Sequence, residues 1–311
     1  MLDTLSDILS RLSLAGTLYF RTSFSSPWGV AVPPFERVAR FHFAHRGECV
    51  VQIAASGETV RLAQGDLIII PNGSAHDLYC GHATRPEILP LDRVLEQSGF
   101  TGEGVLVHGG ADTSRETQLI CGHFALASDA RHMIFDNLPA HIHIRDYGAS
   151  AGGWLEATLR VIGAETGAAR LGGDLVALKL SEAIFAQAIR AYIETEGADR
   201  IGLAGFADPQ IGRALGAFHQ APDRDWTVEA LAREAGMSRT GFAMQFAGKM
   251  GVTPMQYLTS WRMQLACRGL VDHGLSVSEA ARQTGYASES AFTRVFKKEI
   301  GETPAAYRAA H

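Results

Sequence analysis

Two tripeptides, Cys80-Gly81-His82 and Cys121-Gly122-His123, share the pattern C-x-H and stand 41 residues apart. On a β-strand, residues i and i+2 project from one face. Two such strands lying side by side would bring two thiolates and two imidazoles together, a tetrahedral donor set suited to zinc. Cys80, His82, Cys121 and His123 are therefore the candidate metal ligands, with zinc as the candidate cofactor. The same thiols suit a redox sensor, and the plainer alternative is a pair of buried thiols beside surface histidines. Four cysteines without a secretion signal favour free thiols or a metal site over disulfides.

A second set of side chains is His42, His45, Glu48 and His76. His42 and His45 are three apart, which on a strand places them on opposite faces. His76 closes the segment Gly65-Asp-Leu-Ile-Ile-Ile-Pro71-Asn-Gly73-Ser-Ala-His76. Gly65 allows a turn into a strand, and Pro71 with Gly73 bends the chain so that His76 points inward. His42 and His76 are the candidate residues of an interior ligand pocket. A hydrogen-bonded interior histidine is the favoured reading of His76 over a metal ligand.

A third set lies on two short helices near the C-terminus, and a repeat defines them. Thr227-Val228 through Gly236 matches Ser276-Val277 through Gly285 at an offset of 49. The offset then becomes 50: Ser238, Phe242, Phe246, Gly251, Thr253, Pro254 and Tyr257 match Ser288, Phe292, Phe296, Gly301, Thr303, Pro304 and Tyr307. Each copy reads as helix, tight turn, helix. Thr227 and Ser276 cap the first helices, with Ser276 and Glu279 forming a capping box. Gly236 and Gly285 supply the turns, and Ser238 and Ser288 cap the second helices. The phenylalanines at i and i+4 face inward. Thr253-Pro254, with Gln256 completing another capping box, opens a long helix to about Val271 that links the copies.

The stretch Trp226 to Tyr307, including GYASESAFTRVFKKEIGETPAAYR, resembles the DNA-binding domain of the AraC/XylS family of transcription regulators. That resemblance implies two helix-turn-helix units, 227–246 and 276–296. Each places its second helix in a major groove, the two grooves lying one turn, about 34 Å, apart. The outward positions of the second copy are Glu289, Ser290, Thr293 and Arg294, with Arg294 the choice for a bidentate guanine contact. Lys297 and Lys298 suit phosphates, or form a solvated helix face. In the first copy Arg239, Thr240 and Gln245 are the candidates. Gly241 weakens that helix, and many relatives carry a basic or amide residue where Met244 stands, so specificity is expected to rest mainly on the second unit.

The elements around the histidines read as short strands. Residues from about Phe41 to Leu78 alternate and are broken by Gly47, Gly57 and Gly65. The Gly65–His76 segment resembles the second motif of cupins, small antiparallel β-barrels. The family's first metal motif, H-x-H with a Glu, is degraded here, which puts its four-ligand site in doubt. From Leu138 to Glu196 the pattern is helical. The apolar arc from Leu175 to Tyr192 favours pairing of two subunits over packing on the chain's own barrel. Gly197 to Asp208 reads as an interdomain connection, and Asp208-Pro209 as a helix start. Met1 to Phe20 carries Leu2, Leu5, Ile8, Leu9 and Leu12 at helical spacing, an amphipathic helix and not a signal peptide.

Composition agrees. The chain has 311 residues, 46% of them hydrophobic and 20% charged, which fits a folded two-domain protein and argues against disorder. The net charge is −5, but residues from Asp208 onward carry a balance of +2 against −7 for the rest. No apolar run approaches the ~20 residues of a membrane span.

The expected fold is α+β: a cupin-like antiparallel β-barrel (1–150), a helical dimerisation segment (151–207) and an all-α double helix-turn-helix domain (208–311). The expected protein is a cytoplasmic, homodimeric, sequence-specific DNA-binding transcription regulator and not an enzyme. It responds to a small molecule, a metal or redox state. Family membership favours activation, which would make RNA polymerase a partner. The alternative is a cupin metalloenzyme fused to a helical domain.

Overall fold

The computed structural model describes residues 3–11, 14–35, 38–81, 86–102, 104–126, 133–146, 154–167 and 171–311. The first part of the chain runs α1 (Thr4–Arg11), β1 (Leu14–Ser26), β2 (Gly29–Val32), β3 (Val38–Arg46), β4 (Cys49–Ile53), β5 (Thr59–Leu62), β6 (Leu67–Ile70), β7 (His76–Tyr79), β8 (Leu89–Pro90) and α2 (Leu91–Ser98). Then follow β9 (Val105–Gly109), β10 (Asp112–Leu126), α3 (Met133–Asp136), β11 (Ile142–Ile144), α4 (Trp154–Gly167) and α5 (Gly173–Glu194). After a 3-10 turn at Glu196–Asp199 come α6 (Ala204–Ala207), α7 (Pro209–Gln220), α8 (Val228–Ala235), α9 (Arg239–Met250), α10 (Pro254–Val271), α11 (Val277–Gln283), α12 (Glu289–Ile300) and α13 (Pro304–Ala310).

Two compact units form. One holds Ser13–Ser128 and Leu138–Ala191; the other gathers Met1–Leu12, Asp129–Asn137 and Tyr192–His311.

The strands of the first unit make a six-stranded sheet, β11-β6-β3-β10-β1-β9, and a five-stranded sheet, β5-β4-β7-β2-β8. Among the described residues no ladder joins them, so the expected closed barrel is instead two sheets face to face. The reason lies at Gly47 and Glu48. There β3 ends in one sheet and β4 begins in the other, so the chain crosses between layers instead of extending a ladder. Alternation sorts the side chains. His42 and Ala44 of β3 and Leu119 and Cys121 of β10 face Cys49, Val51 and Ile53 of β4 and His76 and Leu78 of β7. Phe41 points the other way and stacks on Phe124 at 4.9 Å between ring centroids; Phe124 in turn meets Phe185 of α5 at 5.0 Å. Leu67–Ile70 is buried on both faces, which explains its unbroken apolar run.

Two local expectations change. The helix at the N-terminus stops at Arg11, and Leu14 already starts a strand of 13 residues. The region expected to be helical from Leu138 first gives Ile142–Ile144 to the edge of the large sheet, paired with β6. Three residues are too few to show a period.

In the second unit the repeat becomes geometry. Thr227, Ser238, Ser276 and Ser288 each accept a bond from the backbone N–H three residues on, and both capping boxes form. Gly236 and Gly285 take φ of 68° and 78°, the left-handed region that the turns require. Phe242 and Phe246 lie 5.5 Å apart and Phe246 meets Tyr257 at 5.9 Å and 72°. Phe292 and Phe296 lie 5.6 Å apart and Phe296 meets Tyr307 at 5.7 Å and 73°.

The glycine-rich stretch expected as a connection is folded into this unit. Leu203 is fully buried and Gly202 N–H donates to Lys249 O. α1 packs on α7: Asp7 Oδ2 lies 2.8 Å from His219 Nδ1, and His219 Nε2 lies 2.8 Å from Tyr257 Oη. No helix among the described residues is long and apolar enough to cross a membrane.

Candidate nucleic-acid interface and effector site

The second helices, α9 and α12, expose most of the residues that the repeat marks as outward. Glu289, Ser290, Arg294, Lys297 and Lys298 are exposed and Thr293 is half-buried at the helix flank, while Phe292 and Phe296 are fully inside. Arg294 makes no ion pair or hydrogen bond among the described residues, so its guanidinium is free to meet a base edge. In α9, Thr240 is exposed and Met244 is 72% exposed.

Two of the candidates in α9 are engaged within the protein. Arg239 pairs with Glu229 of α8. Gln245 is not outward: its Nε2 donates to Asp208 Oδ2 (3.0 Å), which also accepts from Lys249 Nζ (2.6 Å). Asp208 is already the N-cap of α7, accepting from the N–H groups of Gln210 and Ile211. Burial pushes the Asp208 carboxyl up, but Lys249 and these N–H groups outweigh it and hold its pKa below the usual range. The Asp208-Pro209 sequence predicted the cap and gave no sign that the carboxylate would reach a helix 37 residues on.

Arg294→Ala is expected to lower affinity for the preferred site by ~1–3 kcal/mol, roughly five- to a hundredfold, and to relax preference at one or two base pairs. Replacing Lys297 and Lys298 with Gln should weaken binding to all sequences alike and flatten its salt dependence. Competition binding against single-base variants of a selected site separates the two. A uniform loss for Arg294→Ala would reject base reading by that side chain.

In the cupin-like unit, His42 and His76 come together across the two sheets. The bend before His76 depends on Gly73, whose φ is +60°; a Cβ there would strike the carbonyl oxygens of Phe35 and Val38. His76 Nδ1 lies 2.9 Å from Ser74 O, which only accepts, so this nitrogen carries the proton. His76 Nε2 is then the acceptor for His42 Nε2–H at 2.8 Å. His42 Nδ1 in turn accepts from the Cys121 thiol at 3.1 Å. One carbonyl thus fixes two imidazole tautomers and the direction of one thiol S–H in a row. Burial is the main cause that keeps His42 far below its ordinary pKa and lowers His76 to about 4. Burial likewise pushes the Cys121 thiol up and takes Cys49 to about 12.

The two C-x-H tripeptides are not on neighbouring strands. Cys121 is in β10, whose partners are β1 and β3. Cys80 follows β7 in the other sheet, where its sulfur accepts from Trp28 N–H at 3.4 Å. His82 lies outside the described residues. His123 is half-buried and registers with Arg40 of β3. Among the described residues no group of three or more donors is placed to hold a metal ion. The zinc set presumed adjacent strands, and strand order is not written in spacing. The sequence reading also passes over Arg40, two residues before His42 and on the same inward face. Its signal is a charge at an inward position of the run Val38-Ala-Arg-Phe-His-Phe.

A β-rich effector-type unit followed by two exposed reading helices on a shared long helix defines a class, the helix-turn-helix regulators with a cupin half. The family described as Cupin matches residues 3–194, and a family described as Helix-turn-helix domain matches residues 231–310. A putative AraC-like transcription regulator of Streptomyces antibioticus is 30% identical over 99% of this chain and 98% of its own length. The RCS-specific HTH-type transcriptional activator RclR of Escherichia coli is 28% identical over 99% of this chain and 97% of its own. The solved DNA-binding domain of AdpA, in complex with a target DNA, is 36% identical, covering 33% of this chain and 92% of that one at a TM-score of 0.31. The chain belongs to the AraC family of DNA-binding transcription regulators, with an N-terminal cupin domain.

Proposed function

We propose that this regulator is a cytoplasmic transcription activator, not an enzyme, that reads its operator mainly through α12 and responds to an effector held in the cupin unit. The observation that carries the reading is the asymmetry between two units that otherwise repeat the same caps, turns and ring contacts. α12 presents an unengaged Arg294 with Glu289, Ser290, Thr293, Lys297 and Lys298. α9 presents Thr240 and an exposed Met244, with Arg239 and Gln245 drawn into contacts within the protein. Phosphate contacts by the lysines would supply affinity and Arg294 discrimination. An effector acts by binding one arrangement of the protein better than another, which shifts DNA affinity by the same coupling free energy.

Pairing of two subunits through α4 and α5 is part of this proposal. Ile184, Phe185, Ala188 and Ile189 of the apolar arc are buried within the chain, and among the described side chains of the two helices Val161, Leu175 and Val176 are the exposed large apolar ones. Such a dimer would place its readers on repeated half-sites and present one face to RNA polymerase.

Selection of bound sequences from a random DNA pool by the full-length protein tests the reading. One strongly constrained element, with a weaker one about a helical turn away (~10 bp), is the expected result. Two equally constrained elements would overturn the assignment of specificity to α12. A pool that stays random with and without cell-derived small molecules would overturn the regulator reading.

A further inference from the structure

Arg40 sits in the interior of the cupin unit and is only 7% exposed. Its inward direction follows from register. It shares a face of β3 with His42, and His42 bonds across to His76 in the other sheet. Among the described residues its guanidinium forms no hydrogen bond or ion pair, and its Nε is fully buried without a partner. The Phe35 ring lies 4.2 Å from Cζ, a cation–π contact that attracts the charge but leaves the Nε–H without an acceptor.

Among the described residues the neighbours supply no counter-charge. Burial keeps His42, His76 and His123 toward their neutral forms and the Cys121 thiol protonated. The N–H groups of His42 and His76 are committed to His76 and to Ser74 O. A guanidinium does not give up its proton, so burying it unpaired is costly unless something else pairs with it. Its planar fork matches a carboxylate bidentately. The site carries one net positive charge and one free donor group, which fits a monoanion. A phosphate dianion would need further donors, and the imidazole N–H groups nearby are already used. Phe35 is 46% exposed and its N–H bonds to Gly73 O, which puts this side of Arg40 at the solvent end of the sandwich, beside the bend.

We propose that Arg40 anchors a ligand site in the cupin unit and that the effector is a small organic carboxylate held in a bidentate pair. The proposal rests on the reading of this unit as the effector half and names the charge that the effector must carry.

Full-length protein is melted at pH 7 and constant ionic strength with sodium benzoate or sodium octanoate, and with benzamide or octanamide as uncharged matches. At about 10 mM, at least one carboxylate is expected to raise the melting temperature by roughly 3 °C while its amide does not. R40M should abolish the difference, and R40K should retain a weakened one. Without added ligand, R40M should melt at or above the wild type, because it removes an unpaired buried charge. The proposal is overturned if neither carboxylate exceeds its amide, if R40M responds like the wild type, or if R40M melts several degrees lower, as it would for an arginine with a structural role. DNA binding in the same samples keeps the two readings apart. An Arg40-dependent carboxylate response that leaves DNA affinity unchanged keeps the site and rejects its regulatory use. Loss of sequence preference in every sample rejects the regulator reading alone.

Discussion

Phe296→Ala is expected to destabilise the DNA-reading unit by about 3–5 kcal/mol and to abolish sequence-specific binding near physiological temperature. Phe296 is fully buried and makes ring contacts with Phe292 and Tyr307, so it ties α12 to both its own turn and α13. The core around it is small, made of Met263, Ala266, Cys267, Leu270, Ala280 and Ala281 with the three rings. Two of those neighbours on α11 are alanines, which cannot reach into the hole. The truncation therefore creates a cavity and is not absorbed by repacking. Because α12 carries Arg294, tilting or melting it would remove the base contacts proposed for that side chain together with fold. Urea unfolding followed by circular dichroism, beside DNA binding at two temperatures, measures both effects. A loss below about 1 kcal/mol would mean that α12 is held by something other than this cluster.

The second large effect is acid sensitivity of the cupin unit. An unfolded chain holds His76 near its ordinary value of 6.5, whereas the folded protein holds it at about 4. Between those values the unfolded state binds the extra proton, so stability falls as pH falls. The contribution is fully present above about pH 6.5, is lost progressively below it, and levels off once pH passes below the folded value. For His76 alone the loss amounts to about 3 kcal/mol, and His42, shifted in the same direction and coupled to it, deepens the fall. Asp66 and Asp208 have lowered pKa values, so their contributions begin to fade only as the usual carboxylate range is approached. Urea midpoints at pH 7.5, 6 and 5 separate the two. In His76→Gln the slope over this range should flatten, even though the variant starts from lower stability. An unchanged slope would place the acid-sensitive step elsewhere.

How much of this could be read from the sequence divides along the range of the interactions. The helix-turn-helix units were legible almost to the residue, because caps, turns and i, i+4 ring pairs act within one or two turns and because the motif occurs twice. α10 spans Pro254–Val271, and its cap is the Thr253–Gln256 box that the residue types imply. The bend that turns His76 inward was equally local. The partners of strands were not legible. Cys80 and Cys121 differ in sheet because β10 inserts between β1 and β3, a choice made by contacts far apart in sequence. Gln245 was read as outward from its helix position, and the Asp208 that draws it in belongs to another helix. Arg40 was missed since an inward arginine on a strand looks like any surface arginine until the face is known.

The N-terminal helix belongs to the unit that the C-terminal residues complete, and this fixes an order of events during synthesis. The unit made of Ser13–Ser128 and Leu138–Ala191 is complete once the ribosome has passed Ala191. α1 does not: Asp7 waits for His219, 212 positions later, and for Tyr257 beyond it. Domains form as units while the chain emerges, so the cupin unit folds first with α1 still undocked and its buried Ile8 exposed. This early segment is among the last to find its place, and a chain that stops short of residue 219 leaves Asp7 without His219.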